Sequence, residues 1–114
     1  MLIIRREQIE VLSRAAVRRF ERGLLVDLKR CHPADFGRLG EPAVLQLIRD
    51  VIRRAPQYGI TADRDVATMA ELDLILGAPF ERQNGLDWSA PLLRDLKITP
   101  SGRLAVIMAR LPAE

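Results

Sequence analysis

The amino-acid sequence predicts an all-α fold, a single compact domain of about five helices packed around a central helix near residues 61–76. Apolar residues recur at intervals of three or four through most of the chain, as on one face of a helix. Prolines and glycines fall between these periodic segments, and no alternating apolar and polar stretch indicates a strand. The length of 114 residues fits one domain, which we place at 1–114.

The first predicted helix runs from Arg5 to about Arg30. Its apolar stripe consists of Ile9, Leu12, Ala16, Phe20, Leu24 and Leu28. Arg14, Arg18 and Arg22 lie four residues apart on a different face. Gly23 costs about 1 kcal/mol relative to alanine and is expected to mark a bend or a close helix crossing. The helix should end before Pro33, because the residue preceding a proline disfavours helical angles.

A loop is predicted from Pro33 to Gly40, with Phe36 and Leu39 folded back over the core. The second helix then begins at about Glu41, and Pro56 should end or kink it by removing a backbone donor. Its buried stripe consists of Val44, Leu45, Ile48, Val51, Ile52 and Ala55.

The central helix is predicted to begin at Thr61, whose hydroxyl is suited to cap it, and to end at Gly77. Asp63 and Asp65 follow in the first turn, where the helix dipole favours carboxylates. Its apolar positions nearly encircle it, which is typical of a helix that others surround. They are Val66, Met69, Ala70, Leu72, Leu74, Ile75 and Leu76.

A loop with an Asn-Gly turn signal follows, and it carries Phe80 and the only tryptophan, Trp88. Asp87 or Ser89 is expected to cap a short helix after this loop. The last helix should begin at Thr99-Pro100, a capping residue followed by proline at the first helical position.

The charge is uneven along the chain. The net charge is +3, but residues 1–57 carry 12 basic and 7 acidic side chains, whereas residues 58–114 carry 6 and 8. This asymmetry suits docking against a partner, or self-association of unlike faces. One cysteine excludes an intrachain disulfide. No apolar core of a signal peptide and no membrane-spanning run is found, so we expect a cytoplasmic protein without membrane contact.

Few residues are suited to catalysis. Cys31 and His32 are sequence neighbours, which seldom converge as a nucleophile and base, so we interpret them as a helix-end pair with His32 bonding the last carbonyls. Two such ligands are too few for zinc. Asp73 lies amid apolar residues and must be exposed or paired, and an arginine of the second helix is the candidate partner for it. The alternative is that its charge is reserved for a partner protein. We therefore predict no catalytic, cofactor or metal site and no enzyme.

Nucleic-acid binding is an alternative interpretation, because residues 55–66 echo a helix-turn-helix in which the Thr61 helix would read the DNA. Two features argue against it. Pro56 interrupts the first helix of the pair, and the reading helix would bring four carboxylates, Asp63, Asp65, Glu71 and Asp73, towards the phosphates.

An ordered set of short motifs resembles a known family. The motifs are Arg5-Arg6-Glu7-Gln8, Arg18-Arg19-Phe20-Glu21, Tyr58-Gly59-Ile60-Thr61, Asp65-Val66, Leu76-Gly77 with Phe80, Leu86-Asp87-Trp88 and Leu93-Arg94-Asp95. Together, over residues 4–96, they resemble the small helical accessory proteins encoded beside PAAR-tip, adaptor-chaperone and effector genes of bacterial type VI secretion systems. Pro56 and the tail from Lys97 depart from that pattern.

The resemblance implies a non-enzymatic co-chaperone or adaptor that helps an effector and its chaperone reach the secretion spike. The matching residues, Tyr58, Gly59, Ile60, Asp65, Gly77, Phe80 and Trp88, are interpreted mostly as defining the fold. The partner-binding surface is predicted to combine Arg14, Arg18 and Arg22 with Phe80 and Trp88, because charge and an exposed aromatic side chain together are suited to anchor a partner. The alternative for Phe80 and Trp88 is that they cover the edge of the core. An immunity protein to a neighbouring toxin is the other alternative.

Overall fold

The structure is a computed structural model that describes the backbone of residues 6–111 and the side chains of residues 14–111. The all-α prediction is confirmed, and no strand occurs within residues 6–111. The helices are α1 (Arg6–Cys31), α2 (Pro33–Leu39), α3 (Glu41–Arg54), α4 (Asp63–Leu76), α5 (Ser89–Leu93) and α6 (Pro100–Arg110). Two 3-10 turns, Ala55–Tyr58 and Phe80–Arg82, follow α3 and α4 respectively.

The core surrounds α4, as predicted from its nearly continuous apolar circumference. Helices α1, α2, α3 and α6 all pack against it. The fully buried side chains around it include Met69 and Leu74 from α4 itself, Val44 and Ile48 from α3, and Ile107 from α6. Burial of these apolar side chains, at about 25 cal/mol per Å² removed from water, is the main stabilising contribution.

The prediction for α1 agrees with the structure at its C-terminal end, where the helix finishes at Cys31. The predicted start at Arg5 and the side chains of Ile9 and Leu12 lie outside the part of the chain that the structure describes. Gly23 has no special role in the helix. The helix continues through Gly23, which is exposed, and a Cβ atom at this position would contact nothing within 4 Å. The bend or close crossing expected there is therefore wrong. Towards the end of α1, Leu24 and Leu28 are buried against the core.

The predicted loop from Pro33 to Gly40 is wrong, because residues Pro33–Leu39 form α2. Pro33 occupies the first turn, where its missing N–H removes no helical hydrogen bond. Phe36 is buried and anchors this short helix to the core, as expected of it, whereas Leu39 stays exposed. Gly40 then turns the chain into α3 with φ +87°, a value that side-chain-bearing residues rarely adopt.

The predicted helix caps agree with the structure at one threonine and disagree at the other. At the start of α6, the Thr99 hydroxyl accepts a hydrogen bond from the Gly102 N–H at 3.1 Å. At the start of α4, the capping position falls on Ala62 and Thr61 makes no capping bond. Trp88 precedes α5 in the same position, so neither Asp87 nor Ser89 caps that helix as expected.

This contrast between the threonines predicts unequal effects of the same substitution. Thr99→Ala should lower the free energy of unfolding by about 1 kcal/mol, because it removes the acceptor for an N–H in the first turn of α6. Thr61→Ala is the matched control and should change it by less than about 0.5 kcal/mol. Urea denaturation of both variants measures the difference, and an equal loss in the two would contradict the capping assignment.

Candidate functional site

A cationic surface lies along α1 and the neighbouring α3. We call it the arginine face, and its residues are Arg14, Arg18, Arg22 and Arg49. All four side chains are exposed, and shallow depressions of about 320 and 290 Å³ lie between the two helices. Glu21 is the one carboxylate that lines these depressions, and its Oε1 lies 3.4 Å from Arg49 Nε. The structure thus places the three predicted arginines on one accessible surface and adds Arg49.

An apolar depression adjoins this surface on the other side of α1. We call it the apolar groove, and its walls include Ala16, Val17, Phe20, Ile52, Pro56 and Ile60. Its volume is about 270 Å³, and Val17 lines both this groove and a depression of the arginine face. Val17 is 39% exposed although it lies on the side of α1 that faces the core further along. Charge and exposed apolar surface therefore meet at the same turn of α1.

Phe80 does not belong to an accessible surface, and its prediction as a partner contact is corrected. Its side chain is 0% exposed and belongs to the hydrophobic core. Its backbone N–H donates a hydrogen bond to Asp73 Oδ1 at 3.0 Å. An aromatic residue in a loop resembles an exposed anchor in the sequence, but here the loop folds inward to close the end of the core.

Trp88 is half-buried and packs against the core. Its Nε1–H donates to the carbonyl oxygen of Gly85 at 3.0 Å, which holds the indole against its own loop. The main packing partners of the adjacent α5 are α6 and the turn Phe80–Arg82, whereas those of α1 are α2, α3 and α4. The structure therefore does not combine Trp88 with the arginines into one packed unit.

The helix proposed to read DNA, α4, is buried on several sides. Its buried residues are Asp65, Val66, Met69, Ala70, Leu72, Asp73 and Leu74. Asp65 also accepts a hydrogen bond from the Ser101 hydroxyl of α6 at 2.7 Å. A recognition helix needs a free face to enter the major groove. The burial of α4 argues against a reading role for it.

A buried ionic cluster joins α3, α4 and the loop that follows α4. Arg54 Nη2 donates to both carboxylate oxygens of Asp73 at 2.9 Å, and Arg54 Nε lies 2.8 Å from Glu81 Oε1. The Tyr58 hydroxyl donates to Glu81 Oε1 at 3.0 Å. Asp73 is 1% exposed and Glu81 3%. The predicted pairing of Asp73 with an arginine of the second helix is confirmed, while Glu81 and Tyr58 were not foreseen.

Burial dominates the electrostatics of this cluster. It raises the pKa of Asp73 from 3.8 to about 6, although the Arg54 guanidinium and the Phe80 N–H act in the opposite direction. Burial, followed by the neighbouring Glu81 charge, also raises the pKa of Tyr58. The Arg54 guanidinium therefore faces two buried carboxylates, those of Asp73 and Glu81. This arrangement favours retention of a proton on Asp73 in mildly acidic solution.

Arg103 of α6 is a second buried arginine that sequence reasoning missed. Its Nη1 donates to the carbonyl oxygens of Tyr58 at 2.7 Å and Leu93 at 3.0 Å, and its Nε donates to that of Ile98 at 2.9 Å. The available signal was its spacing, since Arg103 lies four residues before the buried Ile107 on the same side of α6. Its contacts are structural, because it satisfies three loop carbonyls.

The Cys31 and His32 pair has no shared site. Cys31 is exposed, and His32 Nε2 lies 2.9 Å from Glu71 Oε1 of α4. The expectation that the ring bonds the last carbonyls of α1 is therefore wrong; the backbone N–H of His32 donates to Leu28 instead. No group of three or more potential metal ligands is found among the described residues. Within that same part of the chain, no helix has the length and apolar character required to cross a membrane.

The chain matches no protein-family model, no curated protein and no solved structure. The resemblance to secretion accessory proteins consequently stays a prediction. The arginine face and the apolar groove bring exposed charge and exposed apolar surface together along α1, and they form the candidate functional site.

The raised pKa of Asp73 predicts a specific pH dependence of stability. Between about pH 4 and pH 6 the folded chain holds a proton that the unfolded chain releases, so this contribution to stability is present at low pH and is lost as pH rises through 6. The stability of the wild type relative to Asp73→Asn should fall across this range, by at most on the order of 3 kcal/mol. Urea denaturation at several pH values measures it.

The control for that experiment is Asp87→Asn, which removes an exposed carboxylate outside the cluster. Its difference from the wild type should show no comparable fall between pH 4 and pH 6. A flat profile for Asp73→Asn, or one that slopes the other way, would contradict the dominance of burial at Asp73.

Trp88 should contribute to stability as a core-edge residue. Trp88→Ala is expected to lower the free energy of unfolding by about 2 kcal/mol, below the range for fully buried tryptophan because the ring is only half-buried. Leu96→Ala is the matched control, since Leu96 is 83% exposed and its truncation should be nearly neutral. If the free energy of unfolding of Trp88→Ala equals that of the wild type, Trp88 is not a core-edge residue, and it becomes a candidate partner contact again.

Proposed function

We propose that the protein is a non-enzymatic protein-binding accessory factor, a cytoplasmic co-chaperone or adaptor that assists the loading of a type VI secretion effector. One observation carries the proposal: the arginine face and the exposed apolar groove adjoin each other along α1. Protein interfaces combine an apolar centre with charged residues at the rim. A surface with both, supported by a packed core, is suited to hold another protein.

The two parts of this surface have different physical roles. Exposed arginines attract a negatively charged partner over about one Debye length, roughly 8–10 Å at physiological ionic strength, and so accelerate encounter. The groove contributes apolar area that is removed from water on binding, which slows dissociation. An adaptor needs both properties, because it must capture a chaperone–effector pair and then release it at the spike.

Several motif residues of the resemblance make structural contacts or adopt special backbone conformations. Tyr58 bonds Glu81, Gly59 adopts the left-handed conformation, and Gly77 ends α4 with φ +100°. Asp65 binds Ser101 of α6. These contacts support their interpretation as fold-defining residues. A further motif, Arg18-Arg19-Phe20-Glu21, contributes residues to the arginine face and the apolar groove.

The alternatives receive less support. The burial of α4 argues against helix-turn-helix binding to DNA, and Glu21 places a carboxylate among the arginines that would have to meet phosphates. In the buried ionic cluster, Arg54 already pairs with both Asp73 and Glu81. An immunity protein would use a similar surface, so only an experiment separates it from an adaptor.

Co-purification tests the proposal. The chain, tagged and co-expressed with the neighbouring adaptor-chaperone and effector genes, should retain one of them. Replacing Arg14, Arg18 and Arg22 together by glutamine should reduce that capture about 10-fold, since exposed ion pairs contribute a few tenths to 1 kcal/mol each. The control replaces Arg82, Lys97 and Arg110 by glutamine, which removes the same charge at exposed positions that line neither the arginine face nor the groove.

Retention of neither protein would contradict the adaptor role. Rescue of cells from the toxicity of the neighbouring effector, without capture of the chaperone, would identify an immunity protein instead. Equal losses in the two triple variants would mean that net charge, and not the arginine face, determines capture.

A further inference from the structure

We infer that the arginine face and the apolar groove together form a seat for one acidic amphipathic helix of a partner protein, laid along the first half of the described part of α1. This inference rests on the proposed function, since it specifies the partner of the same surface. Its basis is an apolar stripe that is exposed in the described part of α1 and a row of positive charges beside it.

The apolar stripe of α1 continues beyond the part that the chain's own core covers. Leu24 and Leu28 are buried, but one and two turns earlier Phe20 is only half-buried and Ala16 and Val17 are exposed. In a helix that faces a core, such a stripe is normally covered along its length. An exposed apolar patch with polar surroundings is typical of an interaction site. Phe20 packs in part against the core, whereas Ala16 and Val17 stay exposed among the residues that the structure describes.

The opposite wall of the groove comes from the end of α3 and the turn before α4. Ile52, Pro56 and Ile60 form this wall, and the space between them and α1 is about 270 Å³. This is below the range of roughly 300–1,000 Å³ of small-molecule pockets, and the groove is open. It suits the apolar side chains of a helix resting on it, which is a common mode of peptide recognition.

The spacing of the arginines indicates the charge of that helix and the axis along which it lies. Arg14, Arg18 and Arg22 are four residues apart, and four residues of α-helix rise about 6 Å. A partner helix parallel or antiparallel to α1, with glutamates also four apart, brings each carboxylate near one arginine. Arg49 extends the positive charge from α3. A partner helix with an apolar stripe flanked by carboxylates complements both the apolar groove and the arginine face.

Two carboxylates favour a protein over a nucleic acid as the occupant. Glu21 lies between the arginines, where Arg49 contacts it, and Asp63 lines the end of the groove. A phosphate backbone, with its close-spaced charges, would be repelled at both positions. An acidic helix carries its charge along one edge, over the arginines, where Arg49 already pairs with Glu21, and it lays its uncharged apolar edge beside Asp63.

Fluorescence anisotropy with a synthetic probe tests the inference. The probe is a labelled helical peptide of about 18 residues with leucines along one face and glutamates four apart beside them. It should bind the whole chain, and affinity should fall sharply between about 0.1 M and 1 M salt as charges are screened. The same peptide with lysine at every glutamate position, and a duplex DNA of similar length, should bind at least about 10-fold more weakly.

Matched substitutions on α1 locate the seat. Val17→Glu should weaken peptide binding at least about 10-fold, because it places a carboxylate in the groove where the probe's leucines would be buried. Val26→Glu makes the same change at a 64% exposed position of the same helix that does not line the groove, and should alter binding less than about 2-fold. Circular dichroism and a urea midpoint confirm that both variants remain folded.

The outcomes separate this inference from the proposed function. Equal binding of the acidic and basic peptides, or equal effects of Val17→Glu and Val26→Glu, overturns the seat even if an effector or chaperone co-purifies. Tighter binding of DNA than of the acidic peptide overturns it in favour of nucleic acid. A dimer of the free chain that Val17→Glu alone dissociates identifies a second copy as the occupant and likewise overturns it. Selective peptide binding without capture of either secretion protein supports the seat and contradicts the adaptor role.

Discussion

The placement of Arg54 between Asp73 and Glu81 is the constraint on which the rest of the arrangement depends. Each carboxylate would be costly to bury alone, by several kcal/mol, and the single guanidinium makes both tolerable. Arg54 ends α3, Asp73 lies in α4, and Glu81 lies in the turn after α4. The contact therefore fixes the angle between α3 and α4 and the path of the loop that follows α4. The Phe80 N–H bonds the same Asp73, so the ring enters the core at the point where the cluster closes.

This constraint also explains why the binding surface lies where it does. With α3 and α4 held together, α1 packs across them through Leu24 and Leu28, and its earlier turns extend past the covered core. The exposed stripe at Ala16 and Val17 follows from that geometry. A packed core that presents an accessible charged and apolar surface along α1 resembles the pre-organised half of an interface, for which little conformational entropy is lost on binding.

Periodicity in the sequence was sufficient for most of the fold and insufficient for the details that depend on distant contacts. The helices α3 and α4, the described part of α1 and the Thr99-Pro100 start are local patterns, so they were predicted correctly. Helix α2 was missed because a seven-residue segment with Pro33 and Gly37 resembles a loop, and its stability comes from the burial of Phe36. The inward path of Phe80 depends on the cluster rather than on its neighbours in sequence. The three arginines were recognised from their spacing, whereas Arg49 and the groove require the packing of α3 against α1.

The contacts of Arg103 have a consequence for how the chain comes apart. One guanidinium satisfies carbonyls at the end of the turn after α3, at the end of α5 and just before α6. If α6 were to detach, those three oxygens would lose their donor in a single event, and each buried orphan costs about 1–3 kcal/mol. We therefore expect the last third of the described chain to detach as one cooperative unit, because partial fraying of this region would leave these carbonyl oxygens without their donor.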